Sequence, residues 1–321
     1  MPIINSKNFK APLHQFNGNL QTVIPSIFRE IEGVTYQRER IDTNDGDFLD
    51  LDWSKKGSDK IVLVSHGLEG SSSRHYVKGI VKLFNDANWD ACAWNCRSCS
   101  GELNKLPRFY HHADTPDLAL VINHILNTGN YTSLVLVGFS MGGSLTLKYM
   151  GEHGDKLPKE VKKGIAVSVP CSLLDCSIEL EKPTKMYYNK RFFKKLSAKV
   201  RQKAVLMPDK ISAAALDQYK IRSLRKFDDH YSAPLHGFKD ANDFYDKASS
   251  LHYIDSITRP ALILNALNDP FLVNRCYPYD LAKENEFVHL EIPINGGHVG
   301  FMMAGKKETY AELRALEFAE G

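Results

Sequence analysis

The stretch Leu134-Val135-Leu136-Val137-Gly138-Phe139-Ser140-Met141-Gly142-Gly143 narrows the possible folds more than any other in the chain. An apolar, β-branched run ends in Gly-x-Ser-x-Gly, and helix-compatible sequence from Ser144 to Met150 follows at once. A strand must hand over to a helix in a turn so tight that the central serine is strained and its hydroxyl projects above the sheet. A Cβ at either flanking glycine would collide with the neighbouring strand or helix. The bare pattern also fits a Gly-rich connection with no chemistry, but a strand before it and a helix after it favour a nucleophile elbow.

A serine hydroxyl is a weak nucleophile unless a histidine takes its proton and an acid fixes the imidazole tautomer. Such partners follow the serine in the order acid, then histidine. Ala261 to Ala266 reads as a buried strand, and Asn268-Asp269-Pro270-Phe271 places Asp269 on the loop at its C-terminal end. A further strand, Phe287 to Ile292, runs into Asn295-Gly296-Gly297-His298-Val299-Gly300-Phe301. Most of the 12 histidines are expected to be structural or exposed; the glycines around His298 and its place after the last strand set it apart. Asp269 is the preferred acid, because ligand-binding loops converge at the C-terminal ends of parallel strands. Asp175, a little beyond the strand Gly164 to Val169, is the rival.

A tetrahedral intermediate needs amide donors aimed at its oxyanion. One expected donor is the N–H of Met141, directly after Ser140. The other is the N–H of Leu68, on the loop His66-Gly67-Leu68-Glu69-Gly70 after the strand Ile61 to Ser65. The alternative for that loop is an ordinary glycine turn.

At these residues the chain resembles the YheT-like branch of the α/β-hydrolases, the "AB-hydrolase type 4" group. The resemblance spans nearly the whole length. It includes Phe9-Lys10-Ala11-Pro12 with Asn19-Leu20-Gln21-Thr22, His66 to Ser72, and Asn95-Cys96-Arg97-Ser98-Cys99-Ser100-Gly101-Glu102. Its most specific block is Phe227-Asp228-Asp229-His230-Tyr231-Ser232-Ala233-Pro234-Leu235-His236-Gly237-Phe238. The resemblance implies an α/β-hydrolase fold, a Ser140–Asp269–His298 triad and ester hydrolysis. Three positions depart from the family pattern: Asn19 stands for a common histidine, Cys96 for an aromatic residue, and Cys171-Ser172-Leu173-Leu174 alters the start of an insertion. None touches the triad; the last two bear on the shape of the pocket.

Alternating strands and helices predict an α/β fold, a mostly parallel sheet covered on both faces. The strands fall near 61–65, 91–95, 134–138, 164–169, 261–266 and 287–292, after a β-rich start to about Trp53. Helices fall near 74–87, 114–127, 141–152 and 307–319. A chain of 321 residues, 43% hydrophobic, can bury one large core. The expected division is a hydrolase core of residues 1–169 and 234–321 with an inserted helical cap at 170–233. Within that cap, Tyr187, Tyr188, Phe192 and Phe193 are expected to form the substrate-binding stripe. The interleaved Lys182, Lys185, Lys190, Arg191, Lys194, Lys195, Lys199, Arg201 and Lys203 are expected on a solvated face, or as a patch for anionic headgroups or acidic substrates, with nucleic-acid binding a minor third reading.

A net charge of +3 implies no global attraction to nucleic acid. No apolar stretch reaches about 18 residues and no secretory h-region is evident, so a soluble, cytoplasmic protein is expected, without the N-terminal anchor that some relatives carry. Six cysteines fall in no secreted-type framework. Cys96-Arg97-Ser98-Cys99 lacks the helix N-terminus of a redox motif and the second ligand pair of a zinc site, so reduced thiols are expected there, with Arg97 bracing the loop. The expected protein is a serine carboxylesterase or acylglycerol-type lipase for short-to-medium acyl chains. It needs no cofactor or metal, takes a small-molecule ester or lipid, and has possible membrane-surface contact through the basic cap. The alternatives are acyl transfer from the same acyl-enzyme and a non-catalytic binding protein of the same fold.

Overall fold

The computed structural model describes residues 3–6 and 9–321. Nine strands form one sheet: β1 (Ile3–Ile4), β2 (Gln37–Asp42), β3 (Phe48–Ser54), β4 (Lys60–Ser65), β5 (Asp90–Asn95), β6 (Ser133–Phe139), β7 (Val161–Val167), β8 (Ala261–Leu264) and β9 (Val288–Glu291). Their order across the sheet is β1-β9-β8-β7-β6-β4-β5-β3-β2. All neighbours run parallel except at β3, which is antiparallel to both β2 and β5.

The central strands are continuous apolar runs because both of their faces are covered. Alternate side chains point to opposite faces and feed two cores. Ile61 and Leu63 of β4, with Leu134 and Leu136 of β6, join one core. Val62, Val64, Val135 and Val137 join the other. The helices α1 (Gly18–Phe28), α2 (His75–Asp86), α3 (Thr115–Thr128), α4 (Met141–His153) and later α12 (Tyr310–Glu320) surround the sheet. Val121, Leu145 and their neighbours on α3 and α4 pack into the first core, whereas Ile80 of α2 and Ala315 of α12 pack into the second. A capping box at Thr309 and Glu312 starts α12: the threonine hydroxyl accepts the Glu312 amide at 3.2 Å, and the glutamate accepts the Thr309 amide at 2.8 Å.

Between β7 and β8 the chain adds no strand. It forms α5 (Leu173–Leu180), α6 (Met186–Leu206), α7 (Ala214–Gln218), α8 (Leu224–Phe227), α9 (Ala233–Leu235) and α10 (Ala241–Ala248) before α11 (Tyr279–Glu284) follows β8. Leu173 of α5, Ala233 of α9 and Phe244 of α10 share a small cluster, so the helical layer continues beyond residue 233.

The solvated basic face expected for α6 differs from what is found. Residues four apart lie on one face of a helix, and Arg191, Lys195, Lys199 and Lys203 make such a row beside the apolar row Tyr188, Phe192, Leu196 and Val200. Both rows turn toward the body of the protein at part of their length. Lys203 is wholly buried, donating to the carbonyl oxygens of Leu106 and Arg108. Burial lowers its pKa to about 8. Lys199 pairs with Glu69 at 2.8 Å. The carbonyls and the carboxylate that these ammonium groups satisfy explain why they leave solvent. Lys190 and Lys194 remain exposed. No helix among the described residues is long and apolar enough to cross a membrane.

Candidate active site

β6 delivers Ser140 to the sheet's C-terminal edge in a strained turn. Ser140 adopts φ 52° and ψ −114°, a combination rarely held by a residue with a side chain. Its amide donates to the Val167 carbonyl at 2.8 Å, which fixes the elbow to β7. The flanking glycines are steric requirements. A Cβ on Gly138 would lie 2.1 Å from the Gly142 carbonyl oxygen, and one on Gly142 would lie 2.2 Å from that of Ser65.

Two further loops from the same edge meet the serine. His298 Nε2 lies 3.0 Å from Ser140 Oγ, and His298 Nδ1 lies 2.8 Å from Asp269 Oδ2. A carboxylate only accepts, so the proton of this contact sits on Nδ1 and Nε2 is left to accept from the serine hydroxyl. The other Asp269 oxygen accepts the Phe271 amide at 2.8 Å. The Asp269 carboxylate is fully buried, and the Phe271 ring lies against the imidazole with centroids 4.1 Å apart. The arrangement can move the Oγ proton to the imidazole and hold the resulting charge. Asp175 lies elsewhere, at the start of α5, where it accepts from Arg275 at 3.1 Å.

The loop after β4 presses on the elbow: a Cβ on Gly67 would stand 3.3 Å from Ser140 Cβ. The amides on either side of Leu68 are engaged. Gly67 N–H donates to the Tyr76 hydroxyl at 3.1 Å, and Glu69 N–H donates to the Tyr110 hydroxyl at 2.7 Å. Among the described residues, no protein acceptor takes the N–H of Leu68 or that of Met141 at the start of α4. Buried His66 braces this loop: its Nε2 accepts the Cys96 amide at 3.1 Å, while its Nδ1 donates to the Gly67 carbonyl at 2.7 Å. Burial lowers the His66 pKa to about 4, so the ring stays neutral.

Two cavities open from the Ser140–His298 pair, and Leu68, Phe192 and Phe271 line both. One is lined by Leu173, Leu180, Leu196, Phe227 and Phe244, with His111, His112 and Asp228 also in its wall. The block beginning at Phe227 thus builds a cavity wall. Its Asp228 accepts from the Tyr245 hydroxyl at 2.7 Å and from Ser232, and Asp229 accepts the Ala241 amide at 2.9 Å. The other cavity carries Arg74, Arg191 and Lys195. Of the aromatic residues expected at the substrate, Phe192 lines both cavities and Tyr188 the second. Phe193 packs beside Phe227 at 6.5 Å, and Tyr187 is 56% exposed. These two lie off the row that faces the site, one helix position away from Tyr188 and Phe192.

The frame behind His298 was not assigned from the sequence. The His298 amide donates to Thr22 Oγ1 at 2.8 Å, and Gly296 N–H donates to Gln21 Oε1 at 2.7 Å. Gln21 also accepts from Asn268 on the Asp269 loop at 3.0 Å, so one buried amide ties both loops to α1. A Cβ on Gly300 would lie 1.9 Å from the Gln21 carbonyl oxygen, which explains the glycine there. The segment Asn19 to Thr22 marked the resemblance, yet only contacts hundreds of residues away give it a role. Asn19 reaches the Tyr188 hydroxyl at 2.9 Å, linking α1 to α6. Arg97 is buried and donates to both oxygens of Asp117 at 2.7 and 2.8 Å, holding the loop after β5. Burial raises the Cys99 thiol to about 11, which disfavours the reactive thiolate.

Residues 60–304 match the family model described as "alpha/beta hydrolase fold". The chain is 31% identical over 296 residues to YheT of Escherichia coli (strain K12), a candidate esterase by its name; the match covers 91% of this chain and 86% of that protein. It is 30% identical over 293 residues to phospholipase ABHD3 of Mus musculus, covering 88% of this chain and 70% of the relative. The solved esterase Pf2001 of Pyrococcus furiosus shares the fold, with a TM-score of 0.61 at 20% identity, covering 91% of this chain and 96% of that one. The chain therefore belongs to the α/β-hydrolase fold family, in its YheT-like branch.

Proposed function

We propose that this protein hydrolyses carboxylic esters through an acyl-enzyme on Ser140. The observation that carries the reading is the unbroken relay from Asp269 through His298 to Ser140, with contacts of 2.8 and 3.0 Å. His298 takes the Oγ proton as Oγ bonds to the ester carbonyl carbon, and the oxyanion is held by the Leu68 and Met141 amides. Collapse breaks the bond to the alcohol oxygen, which receives the proton from His298. Water, deprotonated by the same imidazole, then attacks the acyl carbon, returns Ser140 and releases the acid. Relatives named as a phospholipase and a candidate esterase agree with this chemistry.

Residues 170–233 act as the cap over a core made of 1–169 and 234–321, and α10 extends the cap's wall through Phe244 and Tyr245. The apolar branch suits a short-to-medium acyl chain, with Phe192 at the junction. Tyr188 serves the other branch, whereas Phe193 and Tyr187 contribute through packing and surface respectively. A panel of p-nitrophenyl esters of graded chain length tests the reading. Wild type turns over and Ser140→Ala does not; equal turnover by both rejects it.

A further inference from the structure

The cavity bearing Arg74, Arg191 and Lys195 gathers three cations beside the nucleophile. Arg74 and Arg191 come from different elements, yet each donates an Nη2 hydrogen to the same Ser26 hydroxyl, at 3.4 and 3.3 Å. Lys195, at the rim, donates to the Glu69 backbone carbonyl at 3.1 Å. None of the three pairs with a carboxylate among the described residues. The acidic side chain lining this cavity, Glu69, is taken by Lys199 at 2.8 Å and by the Tyr110 hydroxyl at 2.8 Å. His75, also in the lining, is kept neutral by burial, and its Nδ1 has no hydrogen-bond partner among the described residues.

The remaining two cations of the α6 row, Lys199 and Lys203, are fully occupied within the protein. Arg191 and Lys195, on the same row, are left facing the cavity. The one carboxylate in the lining, Glu69, already pairs with Lys199, so positive charge remains in excess here, and a dianion among these like charges turns their repulsion into attraction. Guanidinium groups suit phosphate oxygens through paired donors, and an ammonium adds a point charge. The other branch, which begins at the same Ser140, carries Leu173, Leu180, Leu196, Phe227 and Phe244 and no arginine or lysine, so the acyl half of an ester has a destination apart from the three cations.

We propose that Arg74, Arg191 and Lys195 form a subsite for a phosphate monoester on the alcohol portion of the substrate, with the acyl chain in the apolar branch. The substrate class is then a carboxylic ester of a phosphorylated alcohol, such as an acyl glycerol phosphate. The products are the fatty acid and the phosphorylated alcohol. This inference rests on the proposed hydrolytic reading of Ser140 and specifies its substrate.

Two measurements test it. The first uses Ser140→Ala protein, which removes chemistry, and titrates glycerol 3-phosphate and inorganic phosphate by calorimetry. Binding of glycerol 3-phosphate is expected, weakened at least tenfold by adding Arg191→Gln or Arg74→Gln and largely retained with Arg191→Lys. The second compares kcat/KM for butyryl esters of glycerol, glycerol 3-phosphate and glycerophosphocholine. Wild type is expected to favour the phosphate monoester at least tenfold over both others, and Arg191→Gln to erase that ratio, with melting curves confirming that each variant is folded. Arginine-dependent glycerol phosphate binding without turnover of any ester would reject the hydrolytic reading while leaving the anion subsite standing. Several outcomes overturn the subsite itself: no binding of glycerol 3-phosphate to Ser140→Ala protein, binding unchanged by Arg191→Gln and Arg74→Gln, or an unchanged kcat/KM ratio in Arg191→Gln.

Discussion

The Thr22 hydroxyl accepts the backbone N–H of His298 at 2.8 Å, so a helix near the start of the chain sets the position of a ring near its end. Gln21 beside it holds Gly296 and Asn268, which belong to the histidine and aspartate loops. The relay at Ser140 is therefore framed from α1 as well as from the sheet. Gln21→Ala should leave several buried polar groups without partners, each costing about 1–3 kcal/mol. The expected result is a lower melting temperature together with at least a tenfold fall in kcat and a smaller change in KM. Unchanged kcat in a destabilised variant would restrict Gln21 to a structural part.

Asp269 and Asp175 separate cleanly in a mutational test. Asp269→Asn should lower kcat by orders of magnitude, because an amide facing Nδ1 no longer selects the tautomer that leaves Nε2 free. Asp175→Asn removes a contact with Arg275 away from the serine and should change kcat less than twofold. Steady-state kinetics on one soluble ester decides, and a reversed pattern would move the acid to the earlier strand.

The apolar branch makes a chain-length prediction. Each buried methylene contributes up to about 0.8 kcal/mol. Where that gain is realised in the transition state, kcat/KM rises several-fold per two carbons until the branch is full, then falls. Phe192→Ala should flatten this profile because Phe192 lines both branches. Phe193→Ala should lower stability and keep the optimum, since that ring packs beside Phe227. Identical profiles in wild type and Phe192→Ala would remove the acyl chain from this branch.

Acid should unfold the protein through its histidines. Burial lowers the pKa of His66, His112 and His236 to about 4, that of His75 to about 3, and that of His111 well below the ordinary value of 6.5. Their folded pKa values lie below the unfolded ones, so the unfolded chain binds more protons and stability falls as pH drops below 6.5. Asp114 and Asp228 act oppositely, because burial raises them to about 7 and about 6. His289, also lowered by burial, adds to the same side, so six histidines taking up protons against two carboxylates releasing them leave a net uptake of protons on unfolding near pH 5. Melting temperatures and calorimetric proton uptake between pH 5 and 7 check this. No uptake, or higher stability at pH 5, would contradict it.

The elbow and the parallel sheet were legible because their constraints are local. A strand buried on both faces reads as an unbroken apolar run, and a tight turn demands glycine at Gly138 and Gly142. The loops bearing Asp269 and His298 were legible for a related reason, since each directly follows such a strand. The clamp of Gln21 and Thr22 was not, because two polar residues on a short helix carry no trace of partners more than 240 residues away. The inward turn of Lys199 and Lys203 was written in their spacing of four beside Leu196 and Val200. Charge composition alone hid it, since lysine is ordinarily a surface residue. The same spacing separates Tyr188 and Phe192 from Tyr187 and Phe193.

The central claim is that Ser140 becomes acylated. The most direct measurement mixes the protein with excess p-nitrophenyl butyrate, quenches in acid within the first turnovers, and maps the modified peptide by mass spectrometry. Butyryl should be found on Ser140, should form far more slowly in His298→Ala, and should be absent from Ser140→Ala. A fluorophosphonate should occupy the same oxygen and prevent butyrylation. Turnover with no acyl group on Ser140, or butyryl trapped on another residue, would contradict the account.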